Sequence, residues 1–278
     1  TSVSLGNDVV LNGGLTVTGS NALTLNGTVS GSGSLTKAGS SNLTLNGNNA
    51  YTGGTILAGG STIVGNNVAL GSGTLTVNGT ATLDSNQAVT LANHMVLNAG
   101  LTVAGSNALT LDGSISGSGS LTKDGVSTLT LNGVNTYAGQ TTVNGGTLAL
   151  GAGASLALNG IVNLASGTTF DLSAGNGSQT FGTLVGNGTV KLGVNTLAAG
   201  GATDGTFGGS MTGTGGFIKQ GTGTETLTGT NSYTGGTLVA AGTLQAGAAS
   251  TFSSTSAHTV ASGAVLDLAG YNQTLASL

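Results

Sequence analysis

Residues 31–53 read GSGSLTKAGSSNLTLNGNNAYTG, and residues 117–139 read GSGSLTKDGVSTLTLNGVNTYAG. The two stretches follow one plan. A Gly-Ser turn enters Leu-Thr-Lys, a polar turn enters Leu-Thr-Leu-Asn-Gly, and Asn-x-Tyr-x-Gly closes the block. Alternation in Leu-Thr-Leu sends two aliphatic side chains to one face and the threonine to the other, which is the period of a β-strand. Gly and Asn between the strands accept the positive φ of tight corners. Strands of three to five residues recur roughly every 8–12 residues, the spacing of an all-β protein.

The repetition extends in both directions. Val10-Leu11-Asn12 returns as Val96-Leu97-Asn98, and GSNALTL at 19–25 returns unchanged at 105–111. Lys37 and Lys123 lie 86 residues apart. A more diverged third copy contains GTGGFIK at 213–219, with Lys219 placed 96 residues after Lys123 and Tyr233 placed 96 after Tyr137. Copies of unequal length suit a stack of coils, whose loops take insertions, better than a closed core. The chain thus reads as one β-helical repeat region over residues 1–278, with copies at approximately 10–95, 96–191 and 192–278, cut from a longer array.

The expected fold is a right-handed parallel β-helix with about three short strands per coil. A sandwich needs longer strands and large anchors such as Trp, and this chain has no Trp. In a solenoid, like residues stack in ladders over one narrow aliphatic core. At roughly 20–25 residues and about 4.8 Å per coil, about a dozen coils are expected. The ends, which lack polar caps, suggest either a piece of a longer array or end-to-end self-association.

Composition narrows the function. Only 4% of residues are charged, the net charge is −4, and there is no Arg, Pro or Cys. Four lysines give no electrostatic grip on nucleic acid, and 3% aromatics give no stacking platform for bases. No 18-residue apolar stretch reads as a transmembrane helix, and the aromatics are too few for the girdles of a membrane barrel. The first residues lack the basic start and apolar core of a signal peptide. Disorder is excluded by 37% hydrophobic residues at regular positions. Without cysteine, stability must come from a device other than disulfides.

Lys37, Lys123 and Lys219 are the most regular charged positions, and the expectation for each is a solvated turn residue. Tyr51, Tyr137 and Tyr233 are expected to pack their rings over corners and to hydrogen-bond through their hydroxyls. Asp84, Asp171 and Asp267 recur near the end of each copy, followed by Gln87, Gln179 and Gln273, and read as turn-forming aspartates with local backbone bonds. The eight acids are too scattered for calcium or glycoside chemistry. His94 and His258 lack metal-ligand spacing, and no serine sits in a nucleophile motif. The residues therefore predict no catalytic group, no metal and no cofactor. Thr-x-Thr pairs such as Thr16/Thr18 and Thr74/Thr76 keep no constant register, so an ice-binding array stays remote.

The block at 31–53 and 117–139, with Gly213, Gly215, Lys219, Gly221, Leu227, Gly229, Asn231, Tyr233 and Gly235 in the third copy, resembles the autotransporter-associated β-strand repeat. Gly-Gly-Thr-Leu-Ala-Leu-Gly at 145–151 and the closing Leu266-Asp267-Leu268 segment fit it as well. The resemblance implies a passenger domain outside a Gram-negative cell, exported through an outer-membrane translocator barrel. The expected function is a rigid stalk or filament-forming segment of a surface adhesin-like protein. A glycan- or host-surface-binding module is the rival. A polysaccharide-active enzyme is remote, since no basic or carboxylate cluster is legible.

Overall fold

The computed structural model describes every residue except Asn176. The described residues form strands and turns with no helix, and the chain divides into two compact units, Thr1–Gly139 and Gln140–Leu278. Each is a β-solenoid of parallel strands.

In the first unit one side is a ladder of seven strands: Val3–Leu5, Leu23–Leu25, Asn42–Leu45, Gly60–Val64, Ala81–Ser85, Leu101–Val103 and Leu121–Lys123. A second side stacks Leu15–Val17, Leu35–Lys37, Thr55–Leu57, Leu75–Val77, Met95–Leu97 and Ile115–Gly117. The third side is interrupted. Val9–Leu11 pairs with Val29–Gly31, and a ladder resumes only at Val89–Leu91, Leu109–Leu111 and Thr128–Leu131. Registers are regular, and Thr55↔Leu75, Leu75↔Met95 and Met95↔Ile115 repeat one step. The same coil of 20 residues separates Asn26 from Asn46 and Asn78 from Asn98, whose side chains bond along the stack. One shorter step, Leu43↔Thr62, is followed by a longer one, Thr62↔Leu83. The coil therefore sits at the short end of the length expected from sequence.

Three-residue strands read buried, half-buried, buried in most coils. Their outer residues form the core, and Leu35, Leu43, Leu57, Leu75, Leu97 and Leu121 are fully buried. The middle threonine points out. Corners close because stacked coils leave no room for side chains there. A Cβ on Gly33 would collide with the Gly13 carbonyl oxygen one coil below, and one on Gly119 with that of Ala99.

The second unit has the same plan in less regular form. Its seven-stranded side runs Thr141–Val143, Val162–Leu164, Leu184–Gly186, Gly205–Phe207, Thr224–Leu227, Thr243–Ala246 and Val265–Asp267. Four strands, Thr147–Leu150 to Ser210–Gly213, and five, Gln179–Thr180 to His258–Val260, form the other sides. The step is uneven, from the short Gln179↔Leu197 to the long Thr147↔Thr169. The core gains aromatics: Phe170, Phe181, Phe207 and Phe217 are buried, and the Phe170 and Phe181 rings lie 6.0 Å apart.

Candidate functional site

The repeat signature is the natural place to look for a site, and most of it points inward. The lysines overturn the expectation of solvated turn residues. Lys37, Lys123 and Lys219 are at most 1% exposed. Each fills the second aliphatic slot of its strand, where Lys37 stacks between Val17 and Leu57 and Lys219 between Ala199 and Val239. The stem lies in the core, and the ammonium reaches a corner lined by carbonyls. Lys37 Nζ donates to the oxygens of Ala38 and Gly39, both at 2.9 Å, and of Gly59 one coil on, at 3.4 Å. Lys219 Nζ donates to Gln220 (2.7 Å), Gly221 (3.1 Å) and, one coil on, Ala241 (3.1 Å). Lys123 Nζ reaches Asp124 O at 2.5 Å and Gly125 O at 3.0 Å. Burial lowers the pKa of all three, while the carbonyls replace the water the ammonium has lost. The alternation in Leu-Thr-Lys was the signal: a residue two after an inward leucine also faces in.

The tyrosines are buried, and the Tyr51 ring lies against the corner at Gly71, whose φ is positive. Tyr51 Oη lies 2.5 Å from Thr55 Oγ1, which donates to Leu70 O at 3.1 Å. Tyr233 Oη lies 2.6 Å from Thr237 Oγ1, itself 2.9 Å from Ser256 Oγ. Burial pushes the Tyr51 and Tyr233 hydroxyls up to about 12. Tyr137 is equally buried.

Asp171 and Asp267 accept from backbone N–H groups two residues on, Ser173 and Ala269. Asp84 departs from the local-turn expectation. It lies in the extended strand Ala81–Ser85, so its carboxylate reaches the next coil and accepts from Ser106 N and Oγ at 3.1 and 2.6 Å. The glutamines tie coils together. Gln87, Gln179 and Gln273 donate Nε2 to the carbonyls of Gly65, Ala154 and Ala248, at least 22 residues back. Asn49, Asn135 and Asn231 accept the N–H of Val29, Ile115 and Met211, each 20 residues back.

Within the first unit the copies are turned relative to each other. Lys37 belongs to the second side and Lys123 to the first. Four coils carry Leu35 to Ile115, and the chain then advances to the next side before it reaches Leu121. Within this unit Lys37 and Lys123 therefore do not line up along one face.

One buried acid was missed from sequence. Glu225 takes the slot of Leu43 and Leu129 and is 1% exposed. It stands beside Gly205 in the ladder, and a Cβ on Gly205 would sit 2.6 Å from Glu225 Oε2. The strands Leu184–Gly186 and Gly205–Phe207 share a single ladder pair, Gly186↔Phe207. The carboxyl passes through the space left at Gly205 and accepts the Leu184 N–H. Oε1 has no partner. Burial pushes this carboxyl up to about 8 against the pull of Lys219. His258 is also buried. Its Nδ1–H donates to Ser256 O at 3.0 Å, its ring packs on Phe252, and its Nε2 has no partner. Among the described residues no group of three or more His, Cys, Asp or Glu could hold a metal ion.

Residues 35–64, 121–150 and 217–246 match the family described as the passenger-associated-transport-repeat. Each match begins two residues before a buried lysine and spans its tyrosine. A 78-residue stretch, 28% of this chain, is 45% identical to the adhesin BmaC autotransporter of Brucella suis biovar 1 (strain 1330). That stretch covers 2% of the Brucella protein's length. No solved structure matches. Three blocks that together make up about a third of this chain thus match the passenger-associated-transport-repeat, and each holds a lysine whose ammonium bonds corner carbonyls.

Proposed function

We propose that this chain is a rigid display segment of an adhesin-like surface protein, acting through its shape rather than through chemistry. The observation that carries this reading is the use of the signature. Lysine, glutamine and asparagine side chains that could face a ligand instead join one coil to the next, and the tyrosines are buried. A segment that must stay stiff outside the cell, without disulfides, needs such ties. The translocator barrel is the partner expected elsewhere in the same protein.

End-to-end stacking into filaments is a variant of the same reading, since a parallel ladder can continue onto another copy. Electron microscopy of surface-expressed protein tests both. Discrete projections of uniform width, attached to the outer membrane, are the expected result. Long fibres assembled from this chain alone would favour the filament. Irregular, collapsed material would defeat the display role.

A further inference from the structure

The interrupted third side of the first unit leaves a hollow of about 490 Å³, lined by Asn48, Asn66, Asn67, Val68, Gln87 and Ala88. These residues come from three successive coils, between the strand Val29–Gly31 and the resumption of the ladder at Val89–Leu91. The hollow is shallow and open to solvent, so a ligand there is held against one face rather than enclosed. No lining residue is charged, so an ionic ligand finds no counter-charge.

The amides are held in place but not used up. Asn67 Oδ1 accepts the Thr90 N–H at 2.9 Å, which fixes that end as oxygen and turns Nδ2, a donor, outward. Gln87 gives Nε2 to the Gly65 carbonyl and leaves Oε1, an acceptor. In the third copy, by contrast, Gln273 Oε1 accepts the Thr251 and Phe252 N–H groups at 2.9 and 3.1 Å. Asn66 is occupied, with Nδ2 at 2.7 Å from both Asn46 O and Gly47 O. Asn48 is exposed and can turn either end to a ligand.

The other copies show which of these amides the coil does not require. At the positions of Asn48, Asn66 and Asn67 the second copy has Val134, Ala152 and Gly153, and the third has Thr230, Ala248 and Ala249. The same block folds without them, so the first copy alone presents an amide-lined corner. Fixed donors and acceptors side by side suit a molecule whose neighbouring groups both donate and accept. Val68, which is 46% exposed, offers an apolar surface beside them.

We infer that this hollow binds a neutral pyranose sugar, with vicinal hydroxyls on Asn67 Nδ2, Gln87 Oε1 and Asn48, and the ring C–H face on Val68. The inference stands apart from the display role, since a stiff segment needs no ligand. The test is a titration of isotope-labelled protein with the methyl glycosides of glucose, galactose and mannose, with N-acetylneuraminic acid as a charged comparison. It is read by NMR on the side-chain amides of Asn48, Asn67 and Gln87 and the methyls of Val68. Saturable shifts at these groups with at least one methyl glycoside are expected. Asn67→Asp keeps the acceptor for Thr90 and replaces the free donor, and Asn48→Val introduces the second copy's residue. Each is expected to weaken the response about fivefold or more, with circular dichroism unchanged. No shift with any of the three glycosides, equal shifts in both variants, or a response to the charged sugar alone overturns the site.

Discussion

The two units close the same kind of coil with different materials. The first keeps a near-constant step over a mainly aliphatic core, with Lys37, Lys123, Tyr51 and Tyr137 buried in it. The second lets its step shrink at Gln179↔Leu197 and stretch at Thr147↔Thr169, and it fills its axis with phenylalanine, a buried glutamate and a buried histidine. The difference shows what the fold demands and what it tolerates. Corner backbones must approach closely, and inward slots must be filled. What fills them is adjustable, provided most buried polar groups find a partner. Among the described residues both units keep buried polar atoms without a partner, the hydroxyls of Ser41, Thr62 and Ser85 in the first and Glu225 Oε1 and His258 Nε2 in the second, so both tolerate some incomplete pairing.

The comparison can be broken most severely at a corner. Gly33→Ala forces a methyl onto the Gly13 carbonyl, whereas the same change at Gly13 meets nothing within 4 Å. Gly33→Ala is expected to cost more than about 3 kcal/mol and Gly13→Ala to fall within about 0.5 kcal/mol, as read by thermal or denaturant unfolding. Equal effects would show that close stacking is not what requires these glycines.

Glu225 gives the units different responses to base. Its folded pKa of about 8 lies above its ordinary value of 4.5, so the folded chain holds a proton that the unfolded chain releases. Its contribution is full below about pH 4.5 and is lost as pH rises toward 8, by on the order of a few kcal/mol. Glu225→Gln is expected to flatten this pH dependence. Hydrogen exchange at pH 6 and pH 8.5 localises the effect: amides of strands 205–207 and 224–227 should lose protection, and those of strands 35–37 and 55–57 should not. A uniform response would contradict the assignment to Glu225.

Removing an ammonium sharpens the comparison further. Lys37→Met keeps the stem but leaves corner carbonyls unpaired, and a loss of about 1.5–3 kcal/mol is expected. A gain in stability would show that desolvating the ammonium outweighs its bonds. The smallest effect is at Tyr51→Phe, which removes one hydroxyl while Thr55 keeps its bond to Leu70 O. About 0.5–1.5 kcal/mol is expected from the unfolding midpoint.

The solenoid was legible because its cause is local and repeated: Leu-Thr-Leu alternation and glycine corners are written into every coil. The interior roles of the signature were only half legible. The alternation in Leu-Thr-Lys places Lys37 inward, but the general solvation of lysine argues for the outside. That conflict is settled by carbonyls from the next coil, which no local reading supplies. The same holds for Glu225, whose partner Leu184 lies two coils back and whose space depends on Gly205. The turn of the second copy by one side follows because the offset from Lys37 to Lys123 is not a whole number of coils, and reading it needed the coil length first. The amide hollow required knowing where the third ladder stops.

The central claim, that the repeat's lysines are internal ties, can be tested on all four lysines at once. Mild acetylation of the native protein, followed by peptide mass spectrometry, compares Lys37, Lys123 and Lys219 with Lys191, whose side chain is 54% exposed. Lowered pKa values would by themselves speed reaction at the three buried amines, so protection there reports enclosure. Rapid modification of Lys191 with the other three spared until the protein is unfolded is the predicted result. Comparable rates at all four would place the signature lysines in solvent and contradict the account.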